Sequence, residues 1–301
     1  GGICNNSGGA LIKRGPAYTE LSLFAQVNKN GDLELKNNLE INLGKSPEQI
    51  LKNLDNKNIS RNVKFKTKKK ASSLDYKKTI KDVDANSPAR FNADKKRLYQ
   101  ASGCSGKIAV FAVRLDTFEK EKDEITFYLS SNSANDLTLF RRRVLKEISD
   151  LPIYAEYMHR DAYKISKIYG KDAFLLIYFL GTSIMPIFYR IKSKIEKFFN
   201  KSKIFSSYTL DYILHYLTKL LPHPLAKKFD EINNKFEHHL ILKFDKSIYN
   251  EIKSITSQIF NKKNNANFLH CTSLESKKIT NSRNDDIVIN NLISIIFFFN
   301  K

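Results

Sequence analysis

Two strand–helix–strand patterns, set apart by a long stretch of different character, constrain this chain more than any other feature. The first opens on a strand candidate at Glu124–Ser131. A helical stripe follows, with Leu137, Phe140, Val144, Leu145, Ile148 and Leu151 on one face, and Pro152 ends it because proline cannot donate the next backbone hydrogen bond. Ile153–His159 supplies a second strand. In the other half, His238–Phe244 alternates as a strand does. Ser247 is placed to cap a helix with Ile248, Ile252, Ile255, Ile259 and Phe260 on one face. Phe268–Thr272 closes the pattern as a strand. Two such βαβ halves predict a ferredoxin-like α+β layer, with everything from about 159 to 235 inserted between them.

The insertion has its own composition. Ala173–Tyr189 carries no charge, yet it is shorter than the roughly 20 residues of a spanning helix, and Gly181 and Pro186 interrupt it. Arg190, Lys192, Lys194, Lys197, Lys201 and Lys203 then interleave with Ile191, Ile195, Phe198, Phe199 and Ile204. Leu210, Ile213, Leu214, Leu217 and Leu221 form another helical stripe, stopped by Pro222. A basic amphipathic region with aromatics fits an anionic bilayer surface, and it equally fits an ordinary solvated helix face over a core.

Ahead of these halves, Asn30-Gly31 joins the strand candidates Glu20–Val27 and Leu33–Ile41 as a hairpin. Residues 45–99 read as loops with a short helix around Pro47–Leu54, and the run Lys66, Lys68, Lys69, Lys70 as a solvated loop. Lys107–Leu115 (KIAVFAVRL) is a continuous apolar run, as expected of a fully buried strand. Two small-residue turns frame this part, GGICNNSGG at Gly1–Gly9 and SGCSGK at Ser102–Lys107. Glycine has no Cβ, so backbone N–H groups there can approach a planar or phosphorylated ligand closely. The spacing matches neither a dinucleotide-binding nor a P-loop fingerprint, and a plain tight turn explains it as well.

Charge and cysteines narrow the partners. Among 301 residues, Lys+Arg is 51 and Asp+Glu is 31, a net +20 that favours anionic partners, phospholipid or nucleic acid. Cys4, Cys104 and Cys271 are distant, odd in number and form no CxxC, which argues against a disulfide framework and a zinc site and for a reducing compartment. In YMHRD, His159 beside Arg160 and Asp161 suits proton abstraction from a 2-hydroxy acid whose carboxylate the guanidinium holds. A cluster of surface charges at a strand end is the plainer account. His238 and His239 are adjacent and on a strand face opposite sides, so they are not a matched metal pair, and no metal site is expected.

Longer strings narrow the reading further. GGICNNSGGALIKRGPAYTELSLFA, SPARFNADKKRLYQASGCSGKIAVFAVRLDTFE, AEYMHRDAYKISKIYGKDAF and EHHLILK closely resemble the bacterial respiratory, quinone-dependent D-lactate dehydrogenases, almost without gaps from Gly1 to about Thr272. The resemblance implies a flavin domain of the vanillyl-alcohol-oxidase type, an α+β cap and an electropositive membrane-binding region. It also implies FAD-dependent oxidation of D-lactate to pyruvate with electrons passed to membrane quinone. The protein would be peripheral on the cytoplasmic face of the bacterial inner membrane, against anionic phospholipid, with no nucleic acid expected. The family's flavin contacts carry over to Gly8 and Val110, with Asn6 and Gly9 beside them; the substrate base is not located.

The implied organisation is a remainder of the FAD domain at 1–117, a cap at 118–158 and 236–272, the membrane-binding region at 159–235 and a divergent tail at 273–301. The chain opens at Gly1 with neither an initiator Met nor a signal peptide, and so reads as a piece of something longer. The family's upstream glycine-rich FAD cradle and its C-terminal return lie outside it. Weak flavin binding and little turnover by this chain alone are the resulting expectations. Ile287–Lys301 is apolar without a period and reads as a frameshifted end, which the encoding DNA would reveal. A non-catalytic basic protein binding membrane or nucleic acid is the rival reading; it explains the charge but not the loop at Gly1–Gly9 or the strand at Val110.

Overall fold

The computed structural model describes residues 3–4, 11–13, 15–16, 19–58, 71, 73–90, 94–97, 99–104, 107–119, 121–201, 213–214, 216–217, 219–220, 225–260 and 265–280. The chain divides into two compact units, Gly1–Glu121 and Lys122–Lys301. Each is a mixed α+β unit built on an antiparallel sheet.

The first unit holds strands β1 (Ser22–Val27) and β2 (Leu33–Asn37), helices α1 (Pro47–Asp55) and α2 (Tyr76–Lys81), and strand β3 (Ile108–Val113), in the sheet order β2-β1-β3. The predicted hairpin forms. Asn28 Oδ1 accepts the N–H groups of Asn30 and Asp32, and Gly31 takes φ +90, which a side chain would resist. Ser46 caps α1 by accepting from Gln49 N, with Pro47 at the first turn, where its missing N–H is no loss. That helix buries Ile50 against Leu23, Leu39 and Leu43.

The apolar run at 107–115 is not a fully buried strand. β3 pairs only with β1 among the described residues, and Phe111 is 47% exposed. Partners Leu23↔Ala112 and Phe24↔Val110 skip Phe111, a β-bulge, and Ala109 and Phe111 share the exposed face of the strand. Continuous hydrophobicity here reflects an edge strand with a bulge, not two covered faces.

The second unit comprises β4 (Glu124–Ser131), α3 (Ala134–Glu147), β5 (Tyr154–His159), α4 (Arg160–Tyr169), α5 (Lys171–Leu180), α6 (Met185–Lys201), α7 (Lys227–Lys235), β6 (His238–Asp245), α8 (Tyr249–Phe260), β7 (Ala266–His270) and α9 (Ser273–Thr280). Its four strands run in the order β5-β6-β4-β7 with every neighbour antiparallel. Both strand–helix–strand halves are therefore present and interleaved. On one face, α3 and α8 bury Leu137, Phe140, Val144, Ile252, Ile255 and Phe260 against Phe127, Leu129, Leu242 and Phe244. Edge-to-face pairs, Phe127–Phe244 at 5.0 Å and Phe140–Phe260 at 5.6 Å, knit this layer.

Three local expectations shift. Ser247 is not the cap. Asp245 accepts from Ser247 N at a single 3-10 turn, Lys246–Ile248, and α8 starts one residue later. β7 lies at Ala266–His270 rather than Phe268–Thr272. Ser273–Thr280 is helical, and Ile279 packs on the sheet, so ordered structure continues past 272. Residues 281–301, including the expected frameshifted end, lie outside the described residues, as do the Lys66–Lys70 run and Leu210, Leu221 and Pro222.

The ends of the predicted insertion belong to the sheet. α4 contributes Tyr163 and α7 contributes Phe229 to a cluster with Tyr128, Ile241 and Cys271 on the second sheet face. Tyr128 and Phe229 meet edge-on at 5.3 Å.

Candidate functional site

The uncharged stretch Ala173–Tyr189 breaks at Gly181 as the sequence predicts, whereas Pro186 falls in the first turn of α6, where proline is tolerated. α5 ends at Gly181, whose φ of +82 a side chain would strain, and a short turn at Thr182–Ile184 leads into α6. Among the described residues no helix is long and apolar enough to cross a membrane. α6 has three longitudinal strips. Met185 and Phe188 pack inward against Ile177 of α5. Ile187, Ile191, Ile195 and Phe198 recur at helical spacing and are all exposed, Phe198 to 70%. Arg190, Lys194 and Lys197 form an exposed basic strip along the side of that apolar row. Phe179 and Leu180 extend the exposed apolar surface at the end of α5. A globular core helix hides its apolar row, whereas α6 presents one to solvent beside cations. Ile213 and Leu217, from the stripe expected near 210–221, are helical and exposed as well.

The two small-residue turns come together in the first unit. Cys104 N donates to Cys4 O at 3.1 Å. Ser102 is buried and both accepts from Thr19 N, at 3.3 Å, and donates to Thr19 O, at 3.2 Å. Leu21 N donates to Thr19 Oγ1, which in turn donates to Arg114 O, so SGCSGK is tied through Thr19 to the start of β1 and the end of β3, which lie side by side. Val110 is half-buried on β3, whose outer edge has no strand partner among the described residues. Asn6, Gly8 and Gly9 lie outside the described residues.

The YMHRD cluster is structural. His159 Nδ1 accepts from Asp161 N at 3.2 Å and caps α4. Its Nε2 then carries the proton and lies 3.1 Å from Glu237 Oε1. Arg160 N donates to Glu237 O at 2.8 Å. That closes the stem where the chain leaves the sheet after β5 and returns at β6. The hydrogen bond from His159, the largest contribution, holds the Glu237 carboxyl below the usual carboxylate range. With both ring nitrogens engaged, His159 is not poised to take a substrate proton.

His238 and His239 point to opposite faces, as predicted. His238 Nδ1 meets Tyr157 Oη at 2.8 Å, while His239 is buried against Ser130 and stacked on Tyr128. Burial is the main reason the His239 imidazole is pushed down to about 4. The sequence reading missed this polar second face, although Tyr128 and Ser130 alternate with apolar Phe127 and Leu129 on β4, and Ser130 pairs with His239 on β6.

Residues 126–285 match the family model described as "D-lactate dehydrogenase, membrane binding". The chain is 45% identical over 278 residues to the quinone-dependent D-lactate dehydrogenase of Escherichia coli (strain K12), covering 92% of this chain and 48% of that protein. It is 42% identical over 279 residues to the Haemophilus influenzae enzyme of the same name, covering 92% and 49%. With the Corynebacterium glutamicum enzyme it shares 34% over 284 residues, covering 94% and 50%. The chain thus spans about half the length of the curated relatives it matches. The exposed apolar row and basic strip of α6 lie inside the segment that the family model describes as membrane-binding, and the chain belongs to the quinone-dependent D-lactate dehydrogenase family.

Proposed function

We propose that this chain forms part of a peripheral membrane flavoenzyme that oxidises D-lactate to pyruvate and passes the electrons to membrane quinone, on the cytoplasmic face of a bacterial inner membrane. One observation carries the membrane half of this reading: α6 exposes Ile187, Ile191, Ile195 and Phe198 in a row flanked by Arg190, Lys194 and Lys197. Interfacial helices bury such a row at the headgroup boundary while cations attract anionic lipid. The strand order β5-β6-β4-β7 supports a ferredoxin-like cap, and the bulged β1–β3 pair supports a remnant of a vanillyl-alcohol-oxidase-type flavin domain.

FAD, when bound, supplies the hydride acceptor. The described residues fit its approach: Val110 sits half-buried on β3, whose outer edge has no strand partner among the described residues, beside a turn anchored through Ser102 and Thr19. Gly8, with Asn6 and Gly9, completes this half of the proposed contact. The substrate base is assigned to none of these residues. The test combines lipid and substrate. The chain should cosediment with vesicles containing phosphatidylglycerol and not with phosphatidylcholine alone. In the longer native polypeptide D-lactate, and not L-lactate, should bleach the flavin absorbance. Equal binding to both vesicle types sinks the membrane half, and bleaching by neither isomer sinks the catalytic half.

A further inference from the structure

The contact between the two small-residue turns is also a contact between two cysteines. Cys104 N donates to Cys4 O at 3.1 Å, so the two backbones run within bonding reach at these residues. Cys104 is close enough to the Cys4 thiol to help raise it, and neither cysteine is in a disulfide. Both side chains are half-buried, which leaves them reachable by small solutes. They are separated by a long stretch of sequence, so only the fold brings them together. Backbones hydrogen-bonded at a cysteine pair hold their Cα atoms in the range that disulfide geometry needs. The remaining cysteine, Cys271, is buried in the second unit, where burial pushes its thiol up to about 12.

We infer that Cys4 and Cys104 form an oxidation site, at which a small peroxide converts the two thiols into a disulfide that staples the two turns together. One thiol attacks a peroxide oxygen; the O–O bond breaks, leaving a sulfenic acid and one water from hydrogen peroxide. The second thiol attacks the sulfenic sulfur. The S–S bond forms and the S–O bond breaks, with the oxygen leaving as a second water. Two electrons pass from the thiol pair to the peroxide. Burial, with Cys104 beside it, holds the Cys4 thiol above its usual range. A staple there fixes the spacing of the two turns that flank β1 and β3.

The experiment uses the whole chain, reduced, exposed to hydrogen peroxide and then alkylated. The expected product is lighter by about 2 Da, retains one alkylatable thiol at Cys271, and yields a peptide linking Cys4 to Cys104 that dithiothreitol releases. The Cys4–Cys104 link should exceed either link to Cys271 by about tenfold in the folded chain and lose that preference in guanidinium. Cys104→Ser should abolish the intramolecular mass loss while leaving circular dichroism unchanged. Three equally alkylated thiols, or a folded product linking Cys271, would overturn the proposal.

Discussion

Ser130 Oγ lies 3.0 Å from His239 Nδ1 across the β4–β6 pair, and both side chains are fully buried. Tyr128 stacks on the imidazole at 5.4 Å, and burial holds the ring's pKa near 4 instead of 6.5. The folded state therefore keeps His239 neutral, whereas the unfolded chain charges it in mild acid. A folded pKa below the unfolded one gives stability that is complete above pH 6.5 and is lost progressively as pH falls towards 4. The full loss is on the order of 3 kcal/mol. Urea melts of the chain between pH 7 and pH 4.5 should show a falling midpoint, and His239→Gln should flatten that dependence. An unchanged slope in the variant would assign the acid sensitivity to other groups.

Glu156 opposes this trend. Burial raises its carboxyl, against the hydrogen bond from Tyr154 Oη, so its contribution is present in acid and lost as pH rises through the folded value. Glu156→Gln should raise the midpoint at pH 7 more than at pH 4.5. A uniform change at both values would show that the residue acts through packing instead.

What the sequence disclosed follows from what each residue packs against. Leu137, Phe140 and Val144 repeat at helical spacing because α3 has one apolar face and one wet face, and Ile252, Ile255 and Ile259 do the same in α8. The second sheet face was illegible because it is a mixed layer. Tyr128, Ser130 and His239 read as polar, and Tyr163 and Phe229, which cover that face with them, sit in lysine-rich stretches. Only the fold shows that α4 and α7 cover this face, while α6, with a similar mixture of Lys and Ile, does not bury its apolar row. Of the proposed flavin contacts, Val110 lies in a recognisable string, but its place at the edge of the sheet among the described residues comes from pairing that no periodicity encodes.

Ile252 is fully buried between α3, α8 and the sheet, whereas Leu274 on α9 is 57% exposed. Ile252→Ala should cost about 2–5 kcal/mol, through lost transfer energy and the cavity left behind. Leu274→Ala should stay within about 0.5 kcal/mol. Denaturant midpoints at constant slope measure both; similar losses would contradict the packing described.

Gly15 and Gly31 both have positive φ, but only one is crowded. A Cβ at Gly15 would stand 2.6 Å from the Tyr76 ring, and at Gly31 it would meet nothing within 4 Å. Gly31→Ala carries only backbone strain, about 1 kcal/mol. Gly15→Ala adds a collision with a buried ring that Arg90 also holds, and should cost about 1–3 kcal/mol more. Equal losses would show that the Tyr76 ring yields without resistance.

The two strips of α6 separate by their response to salt. Reversing Arg190, Lys194 and Lys197 to Glu removes attraction worth about 1 kcal/mol for each cation near an anionic surface. That loss should shrink as sodium chloride rises, because added ions shorten the Debye length to about 3 Å at 1 M. Replacing Ile191, Ile195 and Phe198 with Ser removes apolar burial at the headgroup boundary, about 1.5 kcal/mol per side chain, and salt does not screen it. Vesicle partitioning of both triple variants, at low and high salt, therefore gives two different curves if α6 is the contact. If binding survives both triple substitutions, the lipid contact lies elsewhere in residues 126–285, because the membrane-binding match covers that whole segment and not α6 alone.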